Sequence, residues 1–485
     1  MKKPKLIKKI IGYSMLTATS ITLMSSATSC FALLNSFKTD KQKKQNEATT
    51  SKSDLINQRI ETKKDDEKNA SANNQQSDNK VPNTNVSLSN NPYRQLTKQA
   101  GYWRIGHWNV LNQGGDNELK NLLLARTINY LNLDVIALTE INAHNENDQA
   151  VKNIIKYLNQ WNKENPYAYV LSDELYSPDF VTQKERVAFI YRANVFDVQQ
   201  EFYFLKNKRT NEPIELKQVV TTEENDPNIK ITYSRTPYGV SFIDKQKQMD
   251  FSILAVHLDS PGSSKNAKSK QDFDYHYNNG TKELNEAYWL KKVMQMFDEQ
   301  DGNNQDLILT GDTNIKGKNH NLVFGHFKNQ PNVYTSLLDP MMKTSLGQTY
   351  SKYVSAYDKL FLHTDRDLKQ AYTNQQMLDL WNMGQSRYDI IDDEIRRIVL
   401  ENWIEKGKNS KKKPANYSED EIKMWIQNWK YFDDLTKRST LTKPVRDQIV
   451  AYINYLVRNQ TSDHAPVFFD LKIDTQDIAN ETPKN

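Results

Sequence analysis

The chain has 485 residues, of which 37% are hydrophobic and 26% charged, and its formal net charge is +5. That length suffices for one large domain or two ordinary ones with tails, and a mean hydropathy of −0.80 describes a chain that is polar on average. A single cysteine, Cys30, excludes an intramolecular disulfide, and the mild positive charge suits an anionic partner without identifying one.

The amino terminus has the pattern of a bacterial lipoprotein signal. Five lysines within residues 1–9 precede an uncharged stretch from Ile10 to Ser29, which is the order of a charged n-region and an apolar h-region. Small residues then stand directly before Cys30, as in a lipobox whose cysteine is acylated; the alternative is an uncleaved anchor with an incidental cysteine. No later stretch approaches the roughly 20 apolar residues that span a bilayer. We therefore expect residues 1–29 to be removed and the protein to be lipid-anchored on the extracellular face of the cell membrane.

Residues 30–98 are predicted to form a flexible tether. Lys, Gln, Asn, Ser and Asp dominate from Ser36 to Asn91, with almost no aromatic residues. Such a segment cannot bury enough apolar surface to offset the entropy lost on ordering. The tether would hold a folded domain, residues 99–485, away from the membrane.

From Tyr102 onward, strand and helix patterns alternate, which predicts an α/β domain. Apolar runs typical of buried strands occur at residues 134–138, 187–191, 251–256, 307–310, 359–362 and 467–471. Helical spacing of apolar residues occurs at 124–131, 151–158 and 289–297. Residues 365–446 interrupt this alternation and are charged and Trp-rich; they predict a helical insertion, with a capping box at Ser418 to Glu421.

Polar residues able to bind a metal or move a proton stand at the ends of these strands. They are Asn109, Glu140, Glu185, His257, Asp259, Asp312, Asn314, Asp358, Asp463 and His464. Each alone has an ordinary explanation, such as a helix cap or a surface hydrogen bond, but sheet edges can bring them together. Phosphodiester hydrolysis requires such a set, because a hard cation such as Mg²⁺ binds one or two carboxylates and a carboxylate-polarised histidine can deprotonate water. No Ser, Cys or Lys stands in a recognisable nucleophile motif, which favours direct attack by water.

The chain resembles the endonuclease/exonuclease/phosphatase superfamily, and its pancreatic-type deoxyribonucleases in particular, in a series of motifs. In order, they are Trp108-Asn109, Thr139-Glu140, Glu185-Arg186, His257, Gly311-Asp312-Thr313-Asn314, Tyr357-Asp358 and Ser462-Asp463-His464. Together with the lipobox, these motifs resemble those of mycoplasma membrane nucleases. The resemblance spans about residues 102–473 apart from the insertion. It implies a four-layered α/β sandwich, in which two facing mixed β-sheets are flanked by helices.

The resemblance also implies a metal site and a base. Asn109, Glu140 and Asp463 would hold the divalent cation, which would be Mg²⁺, with Mn²⁺ or Ca²⁺ as alternatives. His464, paired with Asp358, would activate the attacking water.

The remaining roles concern the phosphate. His257, oriented by Glu185, would act as the partner acid or stabilise the phosphoryl oxygens. Asp312 and Asn314 would hold the phosphate and the histidines in place, and Arg235 would contact a substrate phosphate.

The predicted function is therefore a metal-dependent nuclease that acts on nucleic acid, DNA before RNA, for nucleotide scavenging; no protein partner is predicted. One alternative is a sphingomyelinase, phospholipase C-like enzyme or other phosphodiesterase, although sphingomyelinases usually carry Gln where this chain has Asp259. Asp259 itself would be a further metal ligand or, as we prefer, a solvent-exposed turn residue. The other alternative is a non-catalytic nucleic-acid-binding or adhesin lipoprotein.

Overall fold

The computed structural model describes residues 91–143, 148–176, 184–204, 233–262, 273–330, 332–388, 390–407 and 417–480. The predicted signal, Cys30 and the tether up to residue 90 lie outside the described residues. No helix in the described part of the chain is long and apolar enough to cross a membrane.

The described residues contain fourteen β-strands, and six of them coincide with the apolar runs noted in the sequence. In chain order, they are β1 (Tyr102–Gln113), β2 (Val135–Asn142), β3 (Tyr167–Leu171), β4 (Glu185–Arg192), β5 (Phe196–Tyr203), β6 (Tyr238–Asp244), β7 (Asp250–His257), β8 (Leu307–Asp312), β9 (Thr335–Ser336), β10 (Ser345–Leu346), β11 (Tyr353–Ser355), β12 (Asp358–His363), β13 (Tyr372–Met377) and β14 (Val467–Lys472).

Helices connect or cover these strands. They are α1 (Glu118–Leu131), α2 (Gln149–Trp161), α3 (Thr281–Asp298), α4 (His320–Phe324), α5 (Leu368–Ala371), α6 (Asp393–Gly407), α7 (Glu419–Asp433), α8 (Lys443–Asn454) and α9 (Asp477–Asn480). Short 3-10 helices lie at Gly317–Asn319, Gly325–Lys328, Leu380–Asn382 and Arg438–Thr440, and α8 continues into a π-helical turn at Tyr455–Asn459.

Two six-stranded sheets form the centre of the domain. Their strand orders are β13-β14-β1-β2-β4-β3 and β5-β6-β7-β8-β12-β9. Each sheet has one parallel pair, β1 with β2 and β7 with β8, and its other pairs are antiparallel. Both sheets are therefore mixed, as predicted, and the carboxyl ends of two adjacent strands meet in each of them.

The two sheets face each other through an apolar core. Ile105 of β1 and Val467 of β14 belong to the same buried cluster as Ile253 of β7 and Leu360 of β12. On the other side of the second sheet, a further cluster joins β7 and β8 to α3, while α2 bonds β3 through Asn159. Burying one face of each helix and both faces of each sheet gives four layers. The predicted four-layered sandwich is confirmed.

The insertion differs from its predicted extent. Residues 372–377 form β13, which pairs with β14 at the edge of the first sheet, whereas the long helices run from Asp393 to Asn454. The segment Tyr-Thr-Asn-Gln-Gln-Met carries almost no apolar signal, because an edge strand is only half buried. The capping box is present: the Ser418 hydroxyl accepts from the Glu421 amide, and the Glu421 carboxylate accepts from the Ser418 amide.

The end of the predicted tether is part of the domain. The Leu96 amide donates to the Tyr130 carbonyl, the Asn91 side chain donates to Asn129 over 2.7 Å, and Lys98 pairs with Asp134. These partners lie at and just beyond the carboxyl end of α1, where carbonyl groups lack helical donors. Residues 91–98 therefore belong to the folded domain and not to the predicted tether, because specific contacts fix them to α1 and to the residues just after it.

Gly311 is expected to be intolerant of substitution. Its φ is +149°, and a Cβ there would lie 2.0 Å from the Val256 carbonyl oxygen, between the parallel strands β7 and β8. Gly311→Ala should lower the free energy of unfolding by at least about 2 kcal/mol, because it combines backbone strain with overpacking. Urea unfolding followed by circular dichroism measures this. Gly325→Ala is the control, because a Cβ there would meet nothing within 4 Å, and it should leave the urea concentration at half unfolding unchanged. Equal urea midpoints for the two variants would contradict the prediction.

Candidate active site

The candidate residues converge because two sheets present strand ends to the same place. In the second sheet, Asp312 is the Cα partner of both His257 and Asp358. In the first sheet, Asn109 of β1 lies beside Thr139 of β2, directly before Glu140. Strands β8 and β1 lie close together at this edge, since the Asn109 amide donates to the Asp312 carboxylate over 3.1 Å.

His464 is held between two carboxylates. Its Nδ1 lies 2.8 Å from Asp358 Oδ2, and its Nε2 lies 3.3 Å from Asp312 Oδ2. The second oxygen of Asp358 lies 3.4 Å from Nδ1 of another buried histidine, His107. Asp358 is thus enclosed by two imidazole rings. The ring of His464 faces Asp312, whereas Nε2 of His107 lies 3.1 Å from the Thr139 hydroxyl.

His257 forms a parallel arrangement on the other side of Asp312. Its Nδ1 lies 2.7 Å from Glu185 Oε2, and its Nε2 lies 3.7 Å from Asp312 Oδ2 and 3.9 Å from Glu140 Oε1. Two histidines, each paired with its own carboxylate through Nδ1, therefore direct Nε2 toward one oxygen of Asp312. Such pairing fixes the orientation of the ring for proton transfer.

The electrostatics of the two pairs favour charged histidines. Burial opposes the charged form of His464, but Asp358 and Asp312 outweigh it and raise its pKa well above the ordinary value. The pKa of His257 is raised by Glu185 and Asp312 against burial and Arg235. Burial works against the ionised form of Asp358, yet His464 and His107 hold its pKa below the usual range. The two carboxylates therefore favour the charged form of His464, which must lose a proton before it can act as a base.

The loop that carries His464 is fastened to β1. The Trp108 indole donates to the His464 carbonyl over 2.7 Å, and the Ser462 hydroxyl donates to the Asn109 carbonyl over 2.6 Å. The Leu346 amide also donates to the Asp463 carbonyl. These bonds are made to main-chain atoms, so they position the loop independently of its catalytic side chains.

Glu140 lies at a strained part of the backbone. Its own φ is +60°, and Leu111 and Asn112 have φ of 49° and 51°. The carboxylate accepts from the Asn109 side chain and from the Asn112 amide, each over 2.9 Å. Left-handed conformations of residues other than glycine cost free energy and are concentrated at functional sites.

A buried lysine braces the same turn. Lys120 of α1 donates to the carbonyl of Leu111, which belongs to the peptide group whose N–H donates to Glu140. Burial lowers the pKa of Lys120 to about 8, against the attraction of Glu140 and Asp463. One peptide group therefore connects Lys120 to Glu140.

The predicted metal ligands fit a loosely held hard cation. Burial raises the pKa of Glu140, and Glu185 and Asp463 raise it further against His257, so a cation beside Glu140 would relieve repulsion among carboxylates. Within the described residues, no group of three or more His, Cys, Asp or Glu side chains could hold a metal. Glu140, Asn109 and Asp463 offer two carboxylates and one amide oxygen, and Mg²⁺ usually keeps several waters in a site with so few charged ligands.

Arg235 and Asn314 are engaged by the protein's own backbone. The Arg235 guanidinium donates to the carbonyls of His257 and Leu258 over 3.0 and 2.7 Å and lies 3.5 Å from Glu185. The Asn314 amide also donates to the Leu258 carbonyl, over 3.0 Å. Both side chains hold the end of β7 in place, and their predicted contacts with substrate phosphate stay predictions.

Asp259 is buried, so the preferred interpretation as a solvent-exposed turn residue is wrong. The backbone amide of Asp259 donates to the Glu286 carboxylate over 2.7 Å. The Glu286 carboxylate also accepts from the amide and the hydroxyl of Ser234. Burial and the nearby Asp259 raise the pKa of Glu286 to about 7. Glu286 thus ties the segment with Arg235 to the segment that follows His257.

Three residues that contribute to the site were not singled out from the sequence. His107 lies two positions before Asn109 on β1. Alternate residues of a strand share one face of the sheet, so this spacing was the signal that could have placed His107 beside Asn109. Lys120 and Glu286 lie on α1 and α3, where a charged residue normally faces solvent. No local pattern distinguishes them from the other charged residues of those helices.

Comparisons with known proteins complete the description. No protein-family model matches the chain. An uncharacterized protein of Mycoplasma pneumoniae is 29% identical over 183 residues, which are 34% of this chain and 36% of that protein. The chain thus matches about a third of that relative's length.

Solved structures similar to the chain include members of the family that the sequence resembles. The human Nocturnin catalytic domain with bound sulfate has a TM-score of 0.37 at 14% identity and covers 59% of this chain and 89% of its own. An endonuclease/exonuclease/phosphatase family protein from Leptotrichia buccalis has a TM-score of 0.36 at 15% identity, with coverages of 57% and 92%. The mannosyl-6-phosphatase of Bacteroides thetaiotaomicron has a TM-score of 0.35 at 14% identity, and the match covers 57% of this chain and 92% of that protein.

Proposed function

We propose that this chain is a divalent-metal-dependent nuclease that hydrolyses phosphodiester bonds in nucleic acid, and DNA in particular. The observation that carries the proposal is the convergence of two carboxylate-paired histidines on Asp312 Oδ2, from which their Nε2 atoms lie 3.3 and 3.7 Å. One histidine that accepts a proton and one that donates a proton are what hydrolysis by water requires.

The residues divide the reaction between them. His464 Nε2 accepts a proton from water as the water oxygen bonds to phosphorus, and the ester P–O bond breaks. His257 Nε2 donates a proton to the departing oxygen. Asp358 and Glu185 stabilise the charged rings through Nδ1. Asn109, Glu140 and Asp463 would hold the cation, which when bound neutralises charge on the phosphate.

A substrate panel tests the proposal. The purified chain is incubated with circular DNA, RNA and sphingomyelin, with and without a chelator. Nicking of circular DNA in the presence of Mg²⁺ is the expected result and would also establish endonuclease action. Hydrolysis of sphingomyelin alone would favour the lipase alternative, and DNA binding without cleavage in the presence of metal would favour the non-catalytic lipoprotein.

The cellular location of the proposed enzyme is the outer face of the membrane, with Cys30 as the lipidated residue. Cys30→Ser should abolish palmitate incorporation, because the thiol of Cys30 is the proposed site of attachment of the lipid. Stable retention would need two or more acyl chains, since a single one binds membranes only marginally. Metabolic labelling of the wild type and of the variant measures this, and unchanged incorporation would refute the anchor.

A further inference from the structure

A tyrosine lies at the tip of a strained turn before α3. Tyr277 and Asn278 have φ of 41° and 62°, and His276 and Asn279 pair across them through two backbone hydrogen bonds of 2.9 and 2.8 Å. Two-residue turns with positive φ at both positions favour Asn and Gly, and a bulky residue there is an outlier. The side chain of Tyr277 is nevertheless 56% exposed. The ring packs against the edge of the neighbouring His276 ring, with 4.3 Å between centroids, and this contact still leaves more than half of the tyrosine exposed.

The turn is fixed to the loop that follows the catalytic strand β8. Buried Asn319 donates to the His276 carbonyl over 2.8 Å, and buried Asn279 donates to the Asn314 carbonyl over 2.9 Å. The Lys316 amide donates to Asn279 over 2.9 Å. Because these bonds join the turn to the segment that begins at Asn314, the position of Tyr277 is set relative to Asp312.

Lysines and tyrosines alternate between this turn and His464. The Lys318 ammonium lies 5.5 Å from the centroid of the Tyr277 ring. The Lys316 ammonium donates to the Tyr357 hydroxyl over 2.7 Å, and the Tyr357 ring lies nearly parallel to the His464 imidazole, with 6.2 Å between centroids. One lysine–tyrosine pair therefore lies beside His464 and a second lies at the exposed ring, on segments joined by the hydrogen bonds of the turn.

We propose that Tyr277, with Lys318, is a platform on which an unpaired nucleobase stacks while the scissile phosphate lies at Asp312. Bases expose their faces only in single strands, and proteins that bind single strands combine aromatic rings with basic side chains. Neither a phospholipid headgroup nor a sugar phosphate presents such a flat aromatic surface. The inference rests on the proposed nuclease function and specifies that the substrate carries an unpaired base beside the scissile phosphate.

The test compares Tyr277→Ala with Tyr277→Phe on two substrates. For a single-stranded oligodeoxynucleotide, Tyr277→Ala should raise KM about 5- to 150-fold, the range that one base–aromatic stack supplies. Hydrolysis of an oligodeoxynucleotide made of abasic sites, whose diesters carry no nucleobase, should be unchanged, and Tyr277→Phe should behave as wild type on both substrates. Tyr277→Asn should also raise KM for the oligonucleotide but raise Tm, because Asn suits the turn.

Binding separates this inference from the proposed function. Fluorescence anisotropy with a labelled single-stranded oligonucleotide gives a Kd that does not require cleavage. A larger Kd for Tyr277→Ala than for Tyr277→Phe supports the platform, whether or not the wild-type chain hydrolyses either substrate. Absence of hydrolysis by the wild-type chain would refute the proposed nuclease function but not the platform. An unchanged Kd, or an equal loss of activity on the oligonucleotide and on the abasic strand, would overturn the platform.

Discussion

His464→Ala is expected to lower kcat for phosphodiester cleavage by about 100- to 10,000-fold, the contribution of a general acid or base. The fold should survive, because the Trp108 bond is made to the main chain of residue 464 and Asp358 keeps His107 as a neighbour. His257→Ala should have a comparable effect, since its ring occupies the equivalent position beside Glu185. Steady-state kinetics together with thermal unfolding measure both quantities.

A matched control is available on β12. His363 lies at the opposite end of that strand from Asp358 and bonds the Val333 carbonyl, so His363→Ala should leave kcat unchanged. If either site variant keeps more than about a tenth of wild-type turnover, its assigned role is wrong, because a general acid or base contributes at least about 100-fold.

The pH dependence gives a second test of His464. A base must be neutral, and Asp358 and Asp312 raise the pKa of His464 well above its ordinary value despite burial. The rate should therefore rise with pH, with a midpoint above about 6.5. Asp358→Asn removes a negative charge, lowers that pKa and should move the rising limb to lower pH. A profile of kcat/KM that instead falls as pH rises through this range would assign His464 the role of the charged acid.

Removal of divalent metal is expected to abolish activity without unfolding the protein. The carboxylate of Glu140 is already bonded to Asn109 and Asn112, so the local structure does not depend on a cation. Activity should return with millimolar Mg²⁺, because a site with few charged ligands binds weakly. Titration of activity with Mg²⁺ after chelation, with circular dichroism in parallel, measures both effects.

Glu140→Gln should raise the Mg²⁺ concentration for half-maximal activity at least about tenfold, since it removes the carboxylate that faces the proposed cation. Glu419→Gln is the matched control, because Glu419 of α7 pairs with Arg397 of α6, in the helical insertion. Full activity in excess chelator, or an unchanged Mg²⁺ requirement for Glu140→Gln, would refute the metal-dependent mechanism.

The features that could be predicted from the sequence are those with a local signal. The strands around Leu307 and Val467 were predicted because buried strands form continuous apolar runs. The capping box at Ser418 was predicted because its two partners lie within one helical turn. The polar residues that end these strands, such as His257 and Asp312, were recognised for the same reason. By contrast, β5 and β13 are edge strands with polar sequences and were missed.

The sequence alone thus determined the candidate residues at the strand ends and the alternation of strands and helices, because hydrophobic periodicity and motif order are properties of neighbouring residues. Only the tertiary structure decided which residues meet. His464 and Asp358 are 106 positions apart, and the contact of His107 with Asp358 depends on how the two sheets face each other. The burial of Asp259 and the carbonyl partners of Arg235 were decided in the same way. Such contacts depend on strand register and on the packing of one sheet against another, and these arise from the whole chain rather than from any local pattern.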